Sequence, residues 1–267
     1  MYFRLPIVLL TLGAGASGYA ADISARRFTA ELYAARADAQ PDYSGKDLSG
    51  LDLSGIDFER AKLMATNLFG ADLTDANLTR TDLQHARLDR TTVLRANFAS
   101  ADLRGASLIV PAAVAVMEQA AVDAPNFANA TLAGARIVGK FWRVNFREAD
   151  LSRVDFSPAT ITERPDKKST TNSTSLPTEL GACDFTRAKL AGADLRYAMV
   201  RFSTLAGADM SNADLGNADL SRTDLSEADL TGANIAGADF DGANMAGVRG
   251  LERARGRDKA RNLLGAP

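Results

Sequence analysis

An apolar side chain returns at every fifth position over two long stretches of this chain, and few folds can absorb such a spacing. The first stretch runs Leu48, Leu53, Phe58, Leu63, Leu68, Leu73, Leu78, Leu83, Leu88, Val93, Phe98, Leu103, Leu108. The second runs Phe185, Leu190, Leu195, Val200, Leu205, Met210, Leu215, Leu220, Leu225, Leu230, Ile235, Phe240, Met245. Two residues before each member of the first ladder lies a register that from Ala61 onward holds only Ala and Thr: Ala61, Thr66, Ala71, Ala76, Thr81, Ala86, Thr91, Ala96, Ala101, Ala106. The residue between is mostly Asp or Asn, as in Asp72, Asn77, Asp82, Asn97 and Asp102, and the two that follow are commonly Gly, Ser, Thr, Arg or Asp. The unit is Ala-(Asp/Asn)-Leu-x-x.

A surface helix needs apolar positions about every 3.6 residues and a half-buried strand needs strict alternation, so neither fits. Within a unit, however, the small residue and the Leu stand two apart. In an extended segment both leave one face and the polar residue between them leaves the other. The remaining two residues must turn the chain, and Gly, Ser, Asn and Asp are the types suited to a tight corner. Short sides and corners wind into a coil, and successive coils stack at roughly 4.8 Å. Spacing alone permits three or four sides per coil.

Stretches such as Ala208-Asp209-Met210-Ser211-Asn212-Ala213-Asp214-Leu215-Gly216-Asn217-Ala218-Asp219-Leu220 resemble the pentapeptide-repeat family residue by residue, and the resemblance covers most of positions 43–250. It implies an all-β solenoid, a right-handed quadrilateral β-helix with four repeats per coil. Fourteen units run from Tyr43 to Leu108, about eight from Phe127 to Ile161 and thirteen from Phe185 to Met245. Such a repeat grows in one dimension, so one elongated domain is expected despite a length of 267 residues. Nearly nine coils would make a rod of about 40 Å.

The amino terminus reads differently. Arg4 precedes the apolar run Leu5-Pro6-Ile7-Val8-Leu9-Leu10-Thr11-Leu12, which gives way to small residues ending Gly18-Tyr19-Ala20. The pattern over 1–20 is a secretory signal peptide, too short to span a membrane, with cleavage expected after Ala20. It predicts an exported protein, periplasmic in a two-membrane host and otherwise extracellular, with no membrane span after cleavage. Residues 21–42 follow, where Phe28, Leu32, Tyr33, Ala35 and Ala39 suit a short amphipathic helix that would cover the open end of the solenoid.

Two insertions break the ladder. The first, about 109–125, contains Ala112-Ala113-Val114-Ala115-Val116-Met117-Glu118-Gln119-Ala120-Ala121-Val122 and is expected to bulge as a helix or apolar loop. The second, about 162–180, is polar around Lys167-Lys168-Ser169-Thr170-Thr171-Asn172-Ser173-Thr174 and reads as a mobile surface loop. Between them Ile137 is followed by Phe141 at a spacing of four, which predicts a tighter corner with Phe141 inside and Trp142 outside or under a loop. From Val248 the beat changes to six, and residues 251–267, with five bases against two acids, read as a basic terminal cap.

Charge is uneven. From Leu205 to Gly247 there are eight acids (Asp209, Asp214, Asp219, Asp224, Glu227, Asp229, Asp239, Asp241) against Arg222 alone. With four sides per coil, Asp209 would stack over Asp229 and Asp219 over Asp239, at a distance where like charges repel. Asp209, Asp214, Asp219, Asp224, Asp229 and Asp239 are therefore the candidate metal ligands, and such a row also imitates the phosphate spacing of nucleic acid. The ordinary explanation is that Asp here hydrogen-bonds the backbone at its own corner.

Catalytic signatures are missing from the sequence. His85 is the sole histidine and falls at a corner, Cys183 is the sole cysteine and falls in the inward small register, and the glycines form no phosphate-cradling motif. The chain thus reads as a non-enzymatic scaffold without a cofactor, offering polar sides and two insertions to an unknown protein or envelope component, with end-to-end homodimerisation open to it. No nucleic acid is expected as a partner. Two alternatives stand beside this reading: gyrase protection by DNA mimicry, which the family resemblance implies for some members and which needs the cytoplasm, and cation or surface-polymer binding by the acidic rows.

Overall fold

The structure, a computed structural model, describes residues 41–110, 123–162 and 173–263. The expected signal peptide, nearly all of the N-terminal cap, the centres of both insertions and the last residues of the basic tail lie outside the described residues.

One unit shows why the repeat closes on itself. In residues 82–86, Asp82 N–H donates to Ala61 of the preceding coil (3.0 Å), and Leu83 N–H and His85 N–H donate to Asp102 and Arg104 of the following one (2.7 and 2.9 Å). Ala86 N–H returns to the Leu83 carbonyl at 3.0 Å, while Gln84 N–H is taken by the Asp82 side chain at 3.1 Å. All five backbone donors are satisfied, and the Asp supplies the acceptor that the stack itself lacks.

The coil repeats every twenty residues. Parallel bridges join Asp42 to Lys62, Asp47 to Asn67, Asp52 to Asp72 and Asp57 to Asn77, one on each of four successive sides, which are numbered 1 to 4 in that order. Asp42 is already paired, one residue before the expected start of the solenoid. Of the ladder residues named above, all but Met245 are buried at 2% exposure or less. Met245 is only partly buried; it ends its ladder, with the coil of Leu225 stacked on one side. The small register is equally enclosed, and its Thr hydroxyls find partners inside the tube: Thr66 donates to the Tyr43 carbonyl at 2.9 Å and Thr81 to that of Phe58 at 3.1 Å.

Corners differ from expectation in composition. The residue two after each inward side chain adopts φ near +60°, and Arg80, His85, Arg90, Tyr197 and Phe202 adopt it as readily as Gly or Asn. The four-residue turn it belongs to has the positive φ of a type II turn at its third position. Coil-to-coil hydrogen bonds over-determine that geometry, so the local preference of a bulky side chain is overridden.

The middle of the rod departs from the period. Asn126, Thr131 and Arg136 bridge to Asn145, Asp150 and Asp155, a register of nineteen residues. The missing residue lies between Ile137 and Phe141, where Gly139 takes φ 147°, a conformation that side chains rarely allow. Here the bridges lengthen into strands β1 (Ser107–Ile109) and β2 (Arg136–Val138), paired in parallel on side 2. Inside, Phe98, Phe127, Phe146 and Phe185 stack at ring separations of 4.6, 5.3 and 4.9 Å.

The flanks of the second insertion, read above as part of a mobile surface loop, pair with each other, while its centre, residues 163–172, lies outside the described residues. Its foot is an antiparallel hairpin of β3 (Ala159–Thr162) and β4 (Ser173–Leu176), with Thr160 opposite Ser175. Ile161, counted above as a ladder unit, belongs to this hairpin, and the coil resumes at Leu180, which is fully buried. Alternating Thr, Ile and Ser suit a short strand as well as a loop, and pairing with each other decides the matter.

At the far end the six-residue beat persists. Asp229 bridges Arg249, Asn234 bridges Arg255 and Asp239 bridges Arg261, so each terminal side is one residue longer than the one beneath. The extra residue goes into single 3-10 turns at Leu251–Arg253 and Arg257–Lys259. Gly256 passes so close to Ala236 that a Cβ would lie 2.8 Å from its backbone.

Candidate interaction surface

The acidic row stacks as the twenty-residue coil requires, Asp209 against Asp229 and Asp219 against Asp239. Its carboxylates are nonetheless occupied. Asp209, Asp214, Asp219, Asp224, Asp229 and Asp239 each accept the backbone N–H two residues on, at 2.9 to 3.1 Å. Asn234 and Asn244 interleave with Asp214 and Asp224, donating at 2.9 Å in both cases. Arg201, Arg249 and Arg261 reach Asp219, Asp229 and Asp239 at 3.4, 3.8 and 3.5 Å. The hydrogen bond from Thr231 lowers the pKa of Asp229, and that from Asn262 lowers the pKa of Asp239. Among the described residues no three His, Cys, Asp or Glu side chains come together as a metal site.

Cys183 is buried, and desolvation pushes its thiol up to about 12. Its Sγ donates to the Phe141 carbonyl at 2.9 Å. A thiol held protonated and inside the tube has little nucleophilic character. His85 is exposed at its corner, with its ring over Gly105.

Side 3 gathers the features that the coil does not consume. Both insertions leave the solenoid there: the first departs after β1 on side 2 and returns at Asp123, whose carbonyl accepts from Arg95 at the corner between sides 3 and 4. The second departs after Asp155 on side 2 and returns at Glu179 on side 3. Between the two lie Lys140, Phe141 and Trp142. Phe141 is buried, while Trp142 is half-buried, covers Gly181 and donates to Glu179 at 3.3 Å; Lys140 pairs with the same carboxylate at 3.3 Å. Of the four large apolar side chains exposed among the described residues, Val110 and Tyr197 flank side 3 at one corner and Phe202 at the other; Met64 lies elsewhere. Tyr197 is 55% exposed and Phe202 49%.

An open groove of roughly 460 Å³ lies at the foot of the hairpin, lined by Ser157, Pro158, Ser175, Pro177, Arg196 and Tyr197. Arg136 fixes its rim, donating to Asp155 at 2.6 Å and to the Ser157 and Pro158 carbonyls at 2.7 and 3.2 Å. Arg196 is committed to Asp194 through paired contacts of 2.9 and 2.6 Å. Burial opposes the Asp194 charge, but the hydrogen bonds from Arg196 prevail and hold its carboxyl below the usual range. The groove therefore offers apolar walls and hydroxyls, with its one cation neutralised. Sequence reasoning missed this convergence: seven ladder residues, Phe127 to Phe156, separate the insertions, and they complete two coils only once the first insertion is seen to stand in place of side 3 itself.

The model of the family described as pentapeptide repeats matches in eight copies, over residues 47–80, 76–109, 183–222 and 208–247. The chain belongs to the pentapeptide-repeat family. Among solved structures it is similar to HetL, a pentapeptide repeat protein involved in heterocyst differentiation regulation from the cyanobacterium Nostoc sp. strain PCC 7120, with 24% identity over 87% of this chain and 94% of that one and a TM-score of 0.32. It is also similar to full-length QnrB1, a plasmid-mediated fluoroquinolone resistance protein, at 20% identity over 76% and 92% with a TM-score of 0.38. A pentapeptide repeat protein of the Arabidopsis thaliana thylakoid lumen shares 29% identity over 44% of this chain and 66% of that one, with a TM-score of 0.23. No curated protein matches the chain significantly. Among the described residues no helix is long and apolar enough to cross a membrane.

Proposed function

We propose that this chain is an exported, non-enzymatic scaffold, a right-handed quadrilateral β-helix that engages a protein or envelope component through side 3. The proposal includes removal of residues 1–20, a helical cap over 21–42 and a basic cap from 251 onward. The carrying observation is the division of labour among side chains. Inward residues fill the tube and the acidic row serves its own corners, so recognition falls to the insertions and exposed aromatics of side 3.

Placing a photoreactive side chain at Tyr197 and, as a control, at Arg80 in producing cells tests this. Adducts from position 197 alone support the reading; equal labelling or none from either position removes it. Fractionation with N-terminal sequencing of the mature protein tests export, and a full-length chain in the cytosol ends that part. The stacked Asp row favours a second reading, DNA mimicry with protection of gyrase. That reading requires the cytosolic result together with rescue of supercoiling activity by the purified protein.

A further inference from the structure

The β3–β4 hairpin is a two-stranded sheet whose strands pair only with each other among the described residues. Free sheet edges are normally guarded by Lys, by Pro or by a bulge, because an unpaired row of backbone donors and acceptors invites another strand. Here the eight strand residues, Ala159-Thr160-Ile161-Thr162 and Ser173-Thr174-Ser175-Leu176, carry neither charge nor proline. Thr160 and Ser175 face each other across the pair and are both exposed. The groove with Pro158, Pro177 and Tyr197 lies directly at the hairpin's foot.

We propose that the hairpin edge and this groove form a docking site for an extended, uncharged segment of a partner protein, which adds as a third strand and seats an apolar side chain against Tyr197. Strand addition supplies affinity through main-chain hydrogen bonds and takes its specificity from side-chain pockets. Charge complementarity selects the occupant, since Arg196 is already neutralised by Asp194 and an ionic segment would lose hydration without gaining a partner. A second copy of this chain fits less well. Four-residue edges bury far less than the ~1,200–2,000 Å² of a stable interface, whereas they match a short peptide. This site deepens the scaffold reading and rests on it.

The test is to pan a phage-displayed library of random heptapeptides against the purified chain and to titrate the selected peptides by fluorescence anisotropy. Enriched sequences should carry uncharged runs of β-branched and aromatic residues. Their affinity should fall about tenfold or more in Tyr197→Ser and in the double variant Thr160→Lys/Ser175→Lys, and stay unchanged in Arg80→Ala. Matching melting curves for all variants establish that the coils are intact. No enrichment, enrichment of charged peptides, or indifference to the substitutions overturns the site. So does a concentration-dependent dimer in sedimentation that the double Lys variant abolishes, because the edge then belongs to a second copy. Cellular adducts at position 197 without peptide binding would sink the site and leave the scaffold standing; absence of adducts would sink the scaffold and the site with it.

Discussion

The coils before Ser107 and the coils between Asn126 and Phe156 are built from the same unit, yet only the second set tolerates exceptions. The first keeps a twenty-residue register on every side; the second drops one residue and carries an insertion at each border. What changes inside is the filling. The regular coils are filled mostly by Leu with Ala or Thr beside it, while on side 4 a face-to-face Phe stack runs through the irregular block, Phe127 and Phe146 lying between Phe98 of the coil before it and Phe185 of the coil after it. The block that bears the interruptions is also the richer in buried Phe, with Phe127, Phe141, Phe146 and Phe156 against Phe58 and Phe98 before it, and aromatic pairs contribute beyond their area. Irregularity outside coincides with extra packing inside.

The most damaging way to break that comparison is Phe146→Ala. It should cost about 3–5 kcal/mol, at the upper end of what Leu78→Ala costs in a regular coil; denaturant titration of both variants reads the difference. Equal costs would mean that the Phe stack adds nothing special. Ala76→Leu sharpens the same contrast from the other side, because the small register of a regular coil is closed. Overpacking there should cost about 1–3 kcal/mol in the same measurement. The smallest effect concerns the terminal coils. Asp229 and Asp239 have lowered folded-state pKa values, through hydrogen bonds from Thr231 and Asn262 respectively. A depressed carboxylate stabilises the fold at pH above its unfolded value of about 3.9 and loses that contribution as pH falls through the folded value. The melting temperature should therefore decline on acidification below about pH 4, and decline less steeply in Asp229→Asn/Asp239→Asn.

How much of this was legible depends on which force decides each feature. The inward residues follow from burial, and a period of five with a two-residue offset has few other solutions. Asp82 and its equivalents were legible as corner acceptors because a short carboxylate two residues before an orphan N–H has an evident use. Arg, Tyr and Phe at positive φ were not, since local preference argues for Gly or Asn and only the coil-to-coil hydrogen bonds overrule it. The hairpin escaped because Thr-Ile-Thr and Ser-Thr-Ser read equally as loop and as strand until each finds the other. The convergence on side 3 was not legible, because it needs both the winding number, which spacing left open between three and four, and the fact that the first insertion replaces one side of its coil.

Within the coils up to Leu108, and again from Leu180 to Met245, a fixed register of twenty also gives each residue an address. Dividing its number by the period yields an altitude along the rod, and the remainder yields a compass bearing around it. A segment spliced in at a chosen corner will point in a known direction at a known height, so a side of this molecule can be furnished like a shelf without rebuilding the wall behind it.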